Sequence, residues 1–258
     1  MATLESKAAR LRDTLAGADA KTVLHKALVE QAAGRAAVVT SFGAEAAPLL
    51  HLVSKVNRHA PVLFVDTGKH FGETKRYGRD LTDLLGLTDV RLLTEDSDTV
   101  KNADPDGLLF STDPDRCCAI RKISPLQTAL RNFDSWVTGR KRYQASTRAN
   151  LGEVDADETH IKFNPIIDWS RDDVQAYFED HDLPRHPLEA DGFLSIGCMT
   201  CTDRVRPGED PRAGRWRGAA KGRMRHSSDR PCSTQEARRD PCRCSIEKET
   251  SVTTTGPL

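Results

Sequence analysis

Short apolar runs alternate with helix-like segments through the first half of the chain, and this alternation constrains the fold more than any other feature. The runs occupy residues 36–40, 61–65, 90–94 and 135–138. Between the first three runs, apolar side chains recur at three- and four-residue spacing, as in an amphipathic helix. Strands that alternate with helices form parallel sheets with crossover helices. We therefore predict an α/β fold, a parallel sheet with flanking helices.

Three regions of the chain differ in composition. Residues 1–34 predict an N-terminal helical region that ends near Gly34, and residues 35–218 predict the main domain. Residues 219–258 contain few large aliphatic side chains, so they cannot bury enough apolar surface to offset the entropy of ordering. We expect that tail to be disordered.

Within the main domain, an acidic segment separates the third strand from the next helix. Residues 96–115 contain two prolines and predict a loop, and a helix follows from Ala119 to Asn132.

The charge balance argues against two classes of partner. Lys and Arg number 38 and so do Asp and Glu, which gives no overall attraction to nucleic acid or to an anionic membrane. No apolar run approaches the ~20 residues that span a bilayer, and residues 1–10 lack the apolar core of a signal peptide. We expect a soluble, cytoplasmic protein in which any anion site is local.

Four of the seven cysteines fall into two close pairs. An odd number of cysteines without a signal peptide argues against a secreted disulfide framework. Adjacent side chains diverge, so neighbouring cysteines suit a cluster of several metal atoms better than one tetrahedral ion. We predict that an iron–sulfur cluster binds the pairs; structural zinc, free thiols and a disulfide are the alternatives. The predicted ligands are Cys117, Cys118, Cys198 and Cys201.

Loops after three of the predicted strands offer groups that bind phosphate. Ligands of open parallel sheets bind beyond the carboxyl ends of the strands. A hydroxyl, glycines that allow close backbone approach, a helix start and a basic run occur there, and together they favour a nucleotide-like ligand. An ordinary turn and a solvated basic loop are the alternatives. The residues concerned are Ser41, Gly43, Glu45, Thr67, Gly68, Gly139 and Arg140.

Ordered motifs across residues 36–218 resemble those of a known family. They include Ser41-Phe-Gly-Ala-Glu45, Val65-Asp-Thr-Gly68, Cys117-Cys118, Trp136-Val-Thr-Gly-Arg140, Ser195-Ile-Gly-Cys198 and Arg212-Ala-Gly-Arg-Trp216. In these motifs the chain resembles the bacterial assimilatory adenylyl-sulfate reductases, a branch of the phosphoadenylyl-sulfate reductase family.

The resemblance implies an adenine nucleotide alpha hydrolase-like, Rossmann-like fold, with residues 35–218 as the reductase domain. It implies reduction of adenosine 5′-phosphosulfate to sulfite and AMP by thioredoxin, in sulfate assimilation and cysteine biosynthesis. It also implies a [4Fe-4S] cluster on the four paired cysteines and leaves a homo-oligomer open. The three loops would bind the nucleotide, and Lys122, Arg212 and Arg215 would surround the phosphosulfate.

After Trp216 the chain departs from the family pattern. The family's nucleophile is a cysteine in a Glu-Cys-Gly-(Ile/Leu)-His motif, and Gly222-Arg-Met-Arg-His-Ser227 stands where that motif is expected. One set of codons for these residues, read from its second nucleotide, encodes Ala-Glu-Cys-Gly-Ile-His. We hypothesise a frameshift just after Lys221. The catalytic cysteine of the chain as written is unknown, and no surrounding motif supports the candidate Cys232.

Other functions stay open at this point. The first alternative is a reductase of the 3′-phosphorylated substrate. In the family, the four paired cysteines distinguish the cluster-containing reductases of adenylyl sulfate from the reductases that use that substrate. A non-catalytic iron–sulfur protein that binds nucleotide is the second, because the nucleophile is missing. An RNA-modifying ATP pyrophosphatase would need a Gly-Gly-x-Asp-Ser type of loop, which residues 41–45 do not match.

Overall fold

The computed structural model describes residues 3–144, 148 and 150–217, and its six described strands form one sheet. The strands are β1 (Ala36–Thr40), β2 (Val62–Val65), β3 (Val90–Leu93), β4 (Ser135–Thr138), β5 (Val154–Ala156) and β6 (Ile161–Phe163). Their order is β3-β2-β1-β4-β6-β5. All neighbouring pairs are parallel except β5 with β6. The predicted α/β class with a largely parallel sheet is confirmed.

Helices cover both faces of the sheet, as buried parallel strands require. The longer helices are α1 (Leu4–Leu15), α2 (Ala20–Leu28), α3 (Ala47–Asn57), α4 (Gly72–Leu85) and, later in the chain, one at Arg171–Asp180. Alternate side chains of each strand enter different clusters: Val38 and Val62 belong to the main core, whereas Ala37 and Leu63 belong to the second. α1 and α2 contribute to the main core, although α2 ends at Leu28 rather than near Gly34.

The acidic segment after β3 is helical, so the prediction of a loop there was wrong. It contains α5 (Ser97–Ala103) and α6 (Leu109–Thr112). The Asp96 carboxylate accepts hydrogen bonds from the first N–H groups of α5, and the Asp104 carboxylate accepts one from Leu109 N–H. Aspartates that look like loop residues in the sequence therefore stabilise helix starts.

The next helical region begins earlier than predicted and is not uniform. α7 (Pro114–Cys118) starts at an Asp113 cap, a π-helical turn covers Ala119–Ile123, and α8 (Ser124–Leu130) completes the segment. The first cysteine pair therefore lies on a helix.

The strand order fixes where a ligand site forms. From β1 the chain proceeds through β2 to β3 on one side, and β4 lies on the other side of β1. The loops after β1 and β4 thus meet at the switch point of the sheet, where α/β proteins bind ligands.

The helix that runs from Arg171 to Asp180, named α9, starts with the Ser170–Asp173 capping box that the sequence indicates. No helix among the described residues is long and apolar enough to cross a membrane. The domain boundaries stay predictions, and residues 218–258, with the proposed frameshift and Cys232, lie outside the described residues.

Candidate active site

The loop after β1 has a fixed and strained backbone. Phe42 has a positive φ of 46°, an unfavourable conformation for a bulky residue. Its buried ring packs edge-on against Phe64, with centroids 5.1 Å apart, and its N–H donates to Thr40 Oγ1 at 3.2 Å. Packing therefore holds Ser41 and Gly43, on either side of Phe42, in one conformation.

Glu45 connects this loop with the loop after β4. Its carboxylate accepts hydrogen bonds from Lys141 Nζ at 2.7 Å, Tyr143 OH at 2.8 Å and Gln144 Nε2 at 2.7 Å. Burial opposes ionisation of Glu45, but the Lys141 ammonium and these donors outweigh it and hold the pKa of the carboxyl below its usual value. Lys141 is only 1% exposed. This residue is therefore an internal counter-ion rather than part of a solvated basic loop.

The neighbouring residues of the β4 loop are also packed. Leu49 lies against Gly139, where a Cβ would approach its side chain to 3.3 Å. The Arg140 guanidinium lies 5.4 Å from the centre of the Trp136 ring. Both predicted binding residues thus stand at the switch point with restricted mobility.

The loop after β2 holds the second cysteine pair. Thr67 Oγ1 lies 3.1 Å from Cys198 Sγ, and Met199 N–H donates to Lys69 O at 2.8 Å. His70 pairs with Cys198 in an isolated backbone bridge. Gly68 has a φ of 73°, which favours glycine at this turn.

Arg121 fastens that loop to the acidic segment. Its guanidinium donates to Thr67 O at 3.2 Å and to the buried Asp104 carboxylate at 2.7 Å. The sequence does not single out Arg121 for this contact, because it depends on a fold that brings three separate segments together.

The four predicted ligand cysteines form no disulfide bond with one another. Cys117 and Cys118 end α7, and Cys198 and Cys201 flank a single turn of 3₁₀-helix. Burial raises the pKa of Cys117 to about 11, with smaller contributions from Cys118 and Cys198. The electrostatic contribution of Cys198 indicates that the two pairs approach each other.

The donor set fits a cluster better than a single ion. Within the described residues, no group of three or more His, Cys, Asp or Glu side chains converges closely enough to hold one metal ion. An iron–sulfur cluster binds each thiolate to a different iron and so accepts a wider arrangement. Four cysteine thiols beside cations match such an anionic group.

Cations without counter-ions lie next to the cysteines. Lys122 Nζ makes no hydrogen bond or ion pair with any residue that the structure describes, and the buried Nε of Arg215 has no partner there either. Burial lowers the pKa of Lys122, and repulsion from Arg215 and Arg212 adds to this effect, whereas Cys118 and Cys198 oppose it. Half-buried cations that repel one another favour a bound anion.

Lys122 lies within the π-helical turn that directly follows the first cysteine pair. Ser124 N–H bonds to Ala119 O across this turn. A regular α-helix would place Lys122 one turn beyond Cys118, as the sequence suggests. The π-helical turn changes the position of Lys122 around the helix axis relative to Cys118. Such turns occur often at functional sites.

A comparison with known families agrees with this geometry. The profile described as "Phosphoadenosine phosphosulfate reductase domain" matches residues 35–204, a range that includes β1 to β6 and all four paired cysteines. The chain belongs to this family.

Curated relatives within the phosphoadenosine phosphosulfate reductase family are similar over most of their length. An adenosine 5′-phosphosulfate reductase of Chelativorans sp. (strain BNC1) is 46% identical over 188 residues, 73% of this chain and 77% of the relative. One from Mesorhizobium japonicum is 45% identical over 185 residues, 72% of this chain and 73% of the relative.

A solved structure of the family shows the same fold. The phosphate complex of a phosphoadenylyl-sulfate (PAPS) reductase from Candida auris has a TM-score of 0.66 and 24% sequence identity. The match covers 80% of this chain and 99% of that chain.

The family fold brings the predicted residues into two connected groups. In the first group, the loops after β1 and β4 meet through Glu45 and Lys141. In the second group, Thr67 contacts Cys198, and Lys122 and the arginines lie near the cysteines. The contacts do not assign roles, so the binding roles stay predictions. The sequence pattern placed Lys141 in a basic run rather than beside Glu45, and it gave no individual role to four other neighbours of the site: Tyr143, Gln144, Arg121 and Trp216.

Proposed function

We propose that this member of the phosphoadenosine phosphosulfate reductase family reduces adenosine 5′-phosphosulfate to sulfite and AMP. The observation that carries the proposal is the pair of cations Lys122 and Arg215, for which the described residues supply no carboxylate partner, beside the thiols of four cysteines. A phosphosulfate supplies the anion that these cations lack. The relatives named adenosine 5′-phosphosulfate reductase support the same substrate.

In this proposal the strand-end loops bind the nucleotide. Ser41 and Gly43 offer a hydroxyl and backbone N–H groups, and Thr67-Gly68 and Gly139-Arg140 offer the remaining contacts. Glu45 keeps the loops after β1 and β4 together through its three hydrogen bonds. Lys122, Arg212 and Arg215 bind the phosphosulfate.

The reaction is a sulfuryl transfer to a thiolate. The thiolate attacks the sulfur atom, the bond from sulfur to the bridging oxygen breaks, and AMP leaves with that electron pair. Cations at the bridging oxygen stabilise the charge that develops on AMP. The product on the enzyme is a cysteine thiosulfonate.

Thioredoxin then supplies two electrons as a dithiol. Its first thiolate attacks the cysteine sulfur and releases sulfite, and its second thiol displaces the enzyme thiol to form the thioredoxin disulfide. The attacking cysteine is not assigned, so we expect the chain as written to bind substrate with little turnover. A cytoplasmic location, where thioredoxin keeps thiols reduced, belongs to the same proposal.

Cys117, Cys118, Cys198 and Cys201 would hold a [4Fe-4S] cluster. When bound, the cluster supplies local charge and rigidity beside the phosphosulfate rather than electrons for the substrate. The absent nucleophile motif favours a second candidate, a non-catalytic cluster protein that keeps the nucleotide pocket.

Anaerobic calorimetry with adenosine 5′-phosphosulfate, its 3′-phosphorylated form, AMP and ATP tests the substrate. We expect adenosine 5′-phosphosulfate to bind at least about tenfold more tightly than AMP, because a buried charged contact to the sulfo group adds about 1.5–3 kcal/mol. Lys122→Gln should reduce that preference, whereas Lys101→Gln, at an exposed side chain of α5, should not. Equal affinities for adenosine 5′-phosphosulfate and AMP, tighter binding of the 3′-phosphorylated form, or ATP binding with pyrophosphate release, contradict the proposal.

A further inference from the structure

Two neighbouring residues restrict the Arg215 guanidinium. Its central carbon lies 4.5 Å from the centre of the Trp216 ring, within range of a cation–π contact. Gly197 supplies the second contact, because a Cβ at that position would overlap the guanidinium. A flat cation that contacts both a ring and a bare backbone has little rotational freedom.

The backbone of Trp216 is itself in a costly conformation. Its φ is 52°, in the left-handed region that bulky side chains rarely adopt. Such conformations persist only where the surrounding structure enforces them, and they cluster at functional sites. Contacts with the surrounding residues must therefore hold Trp216 at this φ.

Backbone contacts to the second cysteine pair hold Trp216 at its positive φ. Trp216 N–H donates to Cys201 O at 3.1 Å, Arg215 pairs with Thr202 in an isolated bridge, and Asp203 N–H donates to Gly214 O at 2.8 Å. A Cβ at Gly214 would collide with Asp203 O, so close approach of the two segments requires glycine there. The arginine and the cysteine turn are thus fastened together.

Arg215 is held but not satisfied by these contacts. Its Nε is buried with no hydrogen-bond partner among the residues that the structure describes. Arg212 repels its charge, whereas the thiols of Cys118, Cys198 and Cys201 act in the opposite direction. The stacked ring orients the cation and partly offsets its burial, and the Nε donor has no described partner with which a ligand would compete.

We propose that Trp216 and Gly197 are positioning residues that hold Arg215 for the terminal sulfo group of the substrate, and so set the preference for adenosine 5′-phosphosulfate over AMP. This inference rests on the proposed function. AMP lacks the sulfo group, so it does not need the cation beside the cysteine turn.

Anaerobic calorimetry of the full chain with adenosine 5′-phosphosulfate and with AMP tests the inference. Trp216→Gly removes the ring and also relieves the positive φ, so backbone strain does not account for any loss. We expect about tenfold weaker binding of adenosine 5′-phosphosulfate and less than about twofold change for AMP, since a partly desolvated cation–π contact is worth about 1–2 kcal/mol. Trp216→Phe should restore most of the lost affinity.

Further variants separate positioning from folding. Gly197→Ala should displace the guanidinium and reproduce the selective loss without a change at Trp216. The matched control is Trp169→Phe, because Trp169 packs on Tyr177 with centroids 4.9 Å apart, away from the cysteines. Thermal midpoints and the absorbance near ~400 nm should show which variants keep fold and cluster.

Each result has one meaning. The inference is overturned if Trp216→Gly and Gly197→Ala keep the wild-type preference, or if both lose adenosine 5′-phosphosulfate and AMP equally. A wild-type chain without any preference for adenosine 5′-phosphosulfate over AMP instead overturns the proposed function, and the inference with it.

Discussion

At the scale of single residues, burial decides what a charged side chain does. Lys141 follows Arg140 in a basic run, yet its side chain lies inside the protein rather than in solvent. The Lys141 ammonium is almost fully buried against Glu45, and the pair ties two loops together. A buried ammonium needs such a partner, because an isolated charge in the interior is very unfavourable.

We expect the buried side chain of His186 to make the free energy of unfolding fall in acid. It is 1% exposed; Leu188 N–H donates to its Nδ1, and its Nε2 lies 3.0 Å from Thr74 Oγ1, so the ring is neutral. Burial lowers its pKa from 6.5 to about 4. The unfolded chain therefore binds a proton first as pH falls, and up to about 3 kcal/mol of stability is lost between about pH 6.5 and pH 4.

Anaerobic urea denaturation at pH 7.5, 6 and 5 measures this effect. His186→Asn should be less stable than the wild type at pH 7.5, and its free energy of unfolding should fall less with pH. The same pH slope in both proteins would show that His186 does not titrate between these values.

At the scale of elements, two short turns supply the four cysteines that we propose as cluster ligands. Each supplies two thiols: the end of α7 supplies Cys117 and Cys118, and the 3₁₀ turn supplies Cys198 and Cys201. The contact of Thr67 with Cys198, and the backbone bridge of His70, attach the second turn to the sheet.

Cysteine variants test whether the four paired cysteines, and not the three in the tail, bind a cluster. Anaerobically purified protein should contain about four irons per chain and absorb near ~400 nm. Cys118→Ser and Cys198→Ser should lose most of both signals, whereas Cys232→Ser, in the tail, should keep them. One zinc per chain, or equal losses in all three variants, contradicts a four-cysteine cluster.

The elements also show what the sequence can and cannot predict. β2 is apolar throughout and is recognisable from its residues, and β4, with Trp136 and Val137 between two small polar residues, is also buried along its whole length. β5 has three residues, one of them charged, and exists only because it pairs with β6. α5 depends on side-chain caps within an acidic segment, and the π-helical turn has no sequence signal that distinguishes it from an α-helix.

At the scale of the whole molecule, strand order assembles the site. The sequence predicts which loops follow strands and which residues are cations or thiols, because these are local properties. It does not predict that Glu45 bonds to Lys141, or that Arg215 stacks on Trp216, because both contacts depend on how distant segments pack. The body of the chain therefore carries the loops and cysteines of the proposed site, whereas the family's nucleophile motif is absent from the sequence.

Sulfite release from adenosine 5′-phosphosulfate, with reduced thioredoxin, measures the proposed reaction directly. Two proteins are compared: the chain as written, and a chain in which residues 222–227 are replaced by Ala-Glu-Cys-Gly-Ile-His. We expect the second to release sulfite and AMP in equal amounts and the first to be slower by at least about 10³-fold, since loss of a nucleophile removes most of the catalysis. A replaced chain that binds adenosine 5′-phosphosulfate but releases no sulfite, or equal rates in the two proteins, would contradict this function.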